Sequence, residues 1–185
     1  MRRSLLIAAS ALGLMSLPAL AGMPPTVMVG GQAMYPSKTI VGNAVNSADH
    51  TTLIAAVKAA GLADALNGAG PFTVFAPTNE AFADLPAGTV PTLLKPENKN
   101  TLATVLEYHV VPGTYSTADL RRLILAGNGT AHLKTLAGGE LTLMMNGPTN
   151  IIVKDAKGQV ADISIADVNQ ANGVIHVIDR VLMPS

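Results

Sequence analysis

The sequence predicts an α+β domain, and three observations carry that reading. Apolar residues recur at helical spacing between about Thr39 and Gly127. Beyond Gly127 the period shortens to two, and glycine, asparagine and proline separate the short apolar runs. Helices and strands are thus segregated rather than alternating, which specifies helices packed on a mostly antiparallel sheet and not a parallel βαβ sheet.

The N-terminus carries Arg2-Arg3, an apolar run from Leu5 to Leu17, Pro18, and the small-x-small tripeptide Ala19-Leu20-Ala21. That order of parts predicts a signal peptide over residues 1–21, cleaved after Ala21, in a run too short to span a bilayer. The expected location is therefore secreted or periplasmic, without membrane insertion after cleavage. Loss of Arg2 and Arg3 tips a chain with 12 basic and 12 acidic residues to the acidic side, and no basic run survives. Nucleic acid is a poor partner for such a surface. The sequence contains no cysteine, so disulfides, thiolate metal sites and a lipid-bearing cysteine are excluded. Aromatic residues make up only 3% of the chain, which argues against stacking platforms for bases or sugars.

Residues 22–36 hold Pro24-Pro25 and Gly30-Gly31 without periodicity and read as a flexible leader, leaving 37–185 as the domain. Met23, Met28 and Met34 are thioethers suited to Cu(I), but their spacing fits no compact ligand motif and no histidine lies among them. Helical pattern starts at Thr39. Asp49 is the expected cap of a helix whose face is Leu53, Ile54, Val57 and Ala60, with Gly61 at its C′ position and Leu62 packing back. A short helical turn, Leu62 to Leu66, and a glycine-rich turn precede the strand Phe72–Ala76. Pro77 stops that strand, and Thr78 caps a short helix through Phe82. Pro96 suits the first turn of the next helix, which ends at Tyr108. Ser116 and Asp119 have capping-box spacing before Leu120, Leu123 and Ile124. Strands around His132, Leu141, Ile151 and Ile163 follow, with a last one from Val174 to Leu182. Asn128-Gly129-Thr130 has the letters of a glycosylation sequon but reads as a turn.

Catalytic patterns are missing. There is no G-x-S-x-G, no H-x-x-x-H and no H-E-x-x-H. Asp49-His50 reads as helix capping rather than metal ligation. Glu107 and Asp119 are the carboxylates a glycosidase reading could name, with nothing in the sequence to pair them. The expectation is no catalytic residue, no metal site and no cofactor.

Two boxes and a link between them carry a resemblance. Phe72-Thr73-Val74-Phe75-Ala76-Pro77-Thr78-Asn79-Glu80-Ala81-Phe82 resembles the first signature box of fasciclin (FAS1) domains. Asn172-Gly173-Val174-Ile175-His176-Val177-Ile178-Asp179-Arg180-Val181-Leu182-Met183-Pro184 resembles the second, and Tyr108-His109-Val110-Val111-Pro112-Gly113 the Tyr-His motif between them. The resemblance runs from about Thr39 to Pro184. It implies a FAS1-type β-wedge of mostly antiparallel strands with several helices packed at one edge. It also implies a non-enzymatic, monomeric adhesion module that contacts protein or glycan on a cell surface or matrix. A periplasmic small-ligand-binding protein or an enzyme of unknown reaction is the alternative. The resemblance marks Tyr108 and His109 as binding candidates and Thr78, Asn79, His176 and Asp179 as structural motif positions. In an extended segment neighbouring side chains point to opposite sides, so at least one of Tyr108 and His109 should face the core. By resemblance that residue is His109, with its ring bonded near Thr78 or Asn79.

Overall fold

In the computed structural model, which describes residues 26–185, the chain enters through a hairpin of β1 (Val27–Val29) and β2 (Gln32–Met34). The proposed signal peptide, 1–21, and the first leader residues lie outside the described residues. Over 26–36 the reading of an irregular leader is corrected, because Val29 and Met34 are buried in the core. Three-residue strands are too short to show a period, so the pattern was invisible in the sequence. Asn43 fastens the hairpin: its Oδ1 accepts from Tyr35 N at 3.1 Å and its Nδ2 donates to Tyr35 O at 2.8 Å. The turn at Gly30, where φ is +57°, lies so close to Ser47 that a Cβ would sit 2.5 Å from its Oγ.

Thr39 caps α1 (Ile40–Ala44) by accepting from Gly42 N at 3.2 Å. A 3-10 turn, Ala48–His50, then runs into α2 (Thr51–Ala60). Asp49 lies inside that turn and does not cap α2, a correction to the sequence reading. At the other end Gly61 takes the left-handed conformation, and Leu62 N donates back to Val57 O at 3.0 Å, the arrangement its position predicts. After α3 (Ala63–Leu66) come β3 (Phe72–Pro77) and α4 (Asn79–Ala83). Helix α5 (Thr89–Leu93) is absent from the sequence reading; it is little more than one turn long, and its Val90 and Leu93 are only partly buried against the core. Pro96 opens a 3-10 turn leading into α6 (Lys99–Tyr108), which is followed by β4 (Val110–Pro112). The Ser116–Asp119 capping box forms at the start of α7 (Thr117–Ala126). Asn128 then turns the chain at a φ of +54° into β5 (Thr130–Lys134). Strands β6 (Glu140–Asn146), β7 (Asn150–Lys154), β8 (Val160–Gln170) and β9 (Gly173–Ile178) complete the chain.

Seven strands form one sheet in the order β4-β3-β9-β8-β7-β6-β5, antiparallel throughout except for the parallel pair β3 and β9. Leu136 N, just past β5, donates to Val110 O of β4 at 2.8 Å and draws the two ends of the sheet together. The result is the expected α+β wedge. Strand alternation divides its core in two. Val74, Ala76, Ile175 and Val177 face the helices and pack with Leu53, Val57, Leu102 and Leu106. Phe75 and Ile178 face the inside of the wedge with Leu120, Ile124, Leu141, Leu143 and Val153. Register shifts in β8 bend that long strand and leave Asp167 at a φ of +55°.

Candidate functional site

Tyr108 and His109 are both buried. Tyr108 closes α6 and turns into the wedge, where its hydroxyl donates to Glu140 O at 2.7 Å and accepts from Ala156 N at 3.0 Å. One phenol thereby joins the approach to β6 with the turn before β8. His109 turns toward the helical layer. Its Nδ1 lies 2.8 Å from Val105 O, and its Nε2 accepts from Leu182 N at 2.9 Å. The Leu182 amide can only donate, so Nε2 carries the lone pair and Nδ1 the proton. Burial pushes this imidazole down to about 4, against the opposing pull of the Val105 carbonyl and the Asp155 carboxylate.

The expected link from His109 to Thr78 or Asn79 is therefore corrected. Phe75 N donates to His109 O at 2.9 Å, which sets the histidine beside the middle of β3, before the chain reaches Thr78. Its partner comes instead from the second box.

The other motif positions are fasteners of the same kind. Thr78 caps α4, accepting from Ala81 N at 3.3 Å. Asn79 supplies the cap that α2 lacks: its Oδ1 accepts from Thr52 N at 2.9 Å and Thr51 Oγ1 at 3.1 Å, while its Nδ2 donates to Ala48 O at 2.8 Å. His176 donates from Nε2 to Tyr115 O at 2.8 Å and accepts at Nδ1 from Asp167 N at 3.3 Å. Its ring stacks on Phe75 with centroids 5.7 Å apart. Burial holds its pKa below the ordinary value, partly offset by the Tyr115 carbonyl and Asp167. Asp179 Oδ1 accepts from Asp162 N at 2.7 Å.

Several residues of equal weight escaped the sequence reading. Asn172 Oδ1 accepts from Ile40 N at 2.9 Å, and its Nδ2 donates to Leu66 O and Gly68 O at 2.8 and 2.9 Å. Thr73 Oγ1 donates to Gly113 O and accepts from Tyr115 N, at 2.7 and 2.9 Å. Asp155, also buried, accepts from Lys157 N, Gln159 N and Met183 N at 2.8–2.9 Å. Asp167 accepts from Thr117 N at 2.7 Å and also holds the Thr117 hydroxyl. Thr73 and Asn172 stand inside the two boxes, and the sequence signal for Asp155 and Asp167 is a polar residue beside a turn or strand irregularity.

Ser47 Oγ and His50 Nδ1 lie 2.9 Å apart, both buried. His50 Nε2 is buried without a hydrogen-bond partner, and no carboxylate is hydrogen-bonded to the ring as a triad requires. Burial lowers its pKa, with the Ala76 carbonyl and Asp49 acting against it. The cavity beside it, lined by Val29, Met34, Val168 and Ile175, measures about 20 Å³. That is room for one water, not for a substrate. Met28 is exposed while Met34 is buried, so the hairpin does not present these two thioethers together. Among the described residues no three His, Asp or Glu side chains are placed to hold a metal, and no helix is long and apolar enough to cross a membrane. Asp119, one of the two candidate glycosidase carboxylates, is engaged in the capping box.

A polar cleft of about 420 Å³ lies where the end of α6 meets the start of β6 and the β7–β8 turn. Thr104, His132, Glu140, Thr142 and Asp155 line it, and the buried Tyr108 forms its floor. His132 and Thr142 face each other across β5 and β6, with Nδ1 and Oγ1 3.3 Å apart.

The Fasciclin domain family matches residues 48–184. Protein sll1483 of Synechocystis is 47% identical over 161 residues, which cover 86% of this chain and 81% of that protein. Immunogenic protein MPB70 of Mycobacterium bovis is 36% identical over 165 residues, covering 86% of this chain and 76% of that one. Among solved structures, a FAS1 domain pair from the insect cell adhesion molecule fasciclin I superposes with a TM-score of 0.70 at 20% identity, over 79% of this chain and 51% of that one.

Proposed function

The chain belongs to the fasciclin domain family, and from that premise we propose that it is an exported, non-catalytic adhesion module that engages protein or glycan on a cell surface or matrix. The observation that carries this reading is where the polar atoms of the motifs are spent. Tyr108, His109 and His176 are buried, and their hydroxyl and ring nitrogens are all engaged by backbone groups, several of them from distant segments. A general acid or base needs a proton-bearing group within reach of a substrate, and these have none to offer. The motifs therefore build the scaffold, and recognition belongs to its outer surface. The likeness to a solved adhesion molecule supports this role, as does the apolar run at residues 5–17 for export. The polar cleft bearing Glu140, His132 and Thr142 has the room and the polar lining to receive a polar group of a partner.

The test separates surface from scaffold. Binding of the mature chain to cell-envelope and matrix fractions is measured for Glu140→Lys and Tyr108→Phe. Glu140→Lys should weaken binding at an unchanged unfolding midpoint, and Tyr108→Phe should lower the midpoint. Turnover of an ester, amide or glycoside by the purified chain, abolished by one folded variant, would overturn the non-catalytic reading.

A further inference from the structure

Asparagine precedes glycine four times, at Asn67-Gly68, Asn128-Gly129, Asn146-Gly147 and Asn172-Gly173. In this dipeptide the glycine nitrogen can reach the preceding side-chain amide carbon, because the glycine carries no Cβ to hinder the approach. The four sites share a local sequence but not an environment.

Asn172 is buried, and both atoms of its amide are held by Ile40, Leu66 and Gly68. Asn128 is exposed, but the attacking nitrogen of Gly129 donates to Ile124 O at 2.8 Å. Asn67 is exposed too, yet Gly68 N donates to Ala65 O at 3.2 Å and the Asn67 Oδ1 accepts from Thr39 Oγ1 at 2.7 Å. Asn146 differs. It stands at the exposed tip of the β6–β7 hairpin, and Gly147 N meets no protein acceptor among the described residues. Its Nδ2 has one long bond, 3.2 Å to Asp162 Oδ1, an oxygen that Asn150 Nδ2 already holds at 2.7 Å.

We propose that Asn146 is a site of spontaneous covalent modification, deamidation through a succinimide. Gly147 N bonds to the Asn146 side-chain carbonyl carbon, and the side-chain nitrogen leaves as ammonia with the proton lost from Gly147 N. Water then opens the five-membered ring at either carbonyl, giving aspartate or isoaspartate. Either product sets a new carboxylate beside Asp162, where the amide had been a donor. The hairpin tip thus gains a negative charge and a like-charge neighbour, and where the isoaspartate forms the backbone gains one carbon.

The full exported chain, incubated folded in mildly alkaline buffer and mapped by peptide mass spectrometry, tests this. Asn146 should convert roughly tenfold faster than Asn67 and Asn128, the equivalent of about 1.4 kcal/mol in barrier, and Asn172 should stay an amide. In urea the four rates should converge. Asn146→Gln should abolish the acidic species that accumulates in the parent. Conversion of Asn67 or Asn128 as fast as Asn146 in the folded chain, or an unreacted Asn146, overturns the proposal. Rates that stay apart in urea would assign the selectivity to local sequence and overturn it as well.

Discussion

Leu182 donates its backbone N–H to His109 Nε2 at 2.9 Å, joining residues 73 apart in sequence. This bond ties the end of α6 to the segment after β9, and so joins the Tyr-His motif to the second signature box. Replacing His109 by alanine strands the Leu182 amide inside the protein. An unsatisfied buried donor costs about 1–3 kcal/mol, and the lost ring packing adds to that. His109→Ala is therefore expected to lower the urea midpoint by the equivalent of roughly 2–4 kcal/mol. An unchanged midpoint with lost partner binding would show that His109 acts at the surface instead.

The same bond makes stability depend on pH. His109 holds a pKa of about 4 in the fold against an ordinary value near 6.5, and burial lowers His50 and His176 as well. Between the two His109 values the unfolded chain binds a proton that the folded chain refuses. Stability is therefore full above about pH 6.5 and falls as the pH drops toward 4, by up to about 1.4 kcal/mol per unit for His109, with His50 and His176 acting in the same direction. Urea midpoints at about pH 7 and pH 5 should differ in that direction, and His109→Ala should flatten the slope. A midpoint that rises on acidification would contradict the neutral, acceptor state assigned to His109.

Local chemistry made much of this fold legible. Phe72–Ala76, Gly61 and the Ser116–Asp119 box each declare themselves within a few residues, and each forms as read. What stayed hidden depends on chain segments far apart. The parallel pairing of β3 with β9, the partner of His109 and the three-way junction at Asn172 are set by topology, which periodicity does not encode. The resemblance singled out Tyr108, His109 and His176 as motif positions, and the geometry shows which backbone groups their buried polar atoms hold.

Asn79 is the clearest case of a cap supplied from elsewhere. Asp49 stands in sequence where a cap for α2 belongs, yet Asn79 receives the Thr52 amide. Asn79→Ala should cost about 1–2 kcal/mol, the usual worth of an N-cap, while Asp49→Ala should stay within about 0.5 kcal/mol. Thermal or urea unfolding of the two variants checks the assignment. The reverse ranking would return the cap to Asp49.

Gly139 offers a test of the Tyr108 site that leaves the tyrosine itself in place. It lies against the Tyr108 ring, and a Cβ there would come within 2.7 Å of Cε2 and 3.2 Å of Cδ2. The φ of Gly139 is not in the left-handed region, so alanine brings steric conflict without backbone strain. The ring has little room to yield: its edge is packed in the wedge and its hydroxyl is held between Glu140 O and Ala156 N. Overpacking of this kind costs about 1–3 kcal/mol. Gly139→Ala should therefore be destabilising, and the double variant with Tyr108→Leu should lose less than the sum of the two single losses, because the smaller side chain frees the space that the methyl needs. The double-mutant cycle reads this as a coupling of the two changes. Strictly additive losses would mean that the ring does not press on Gly139.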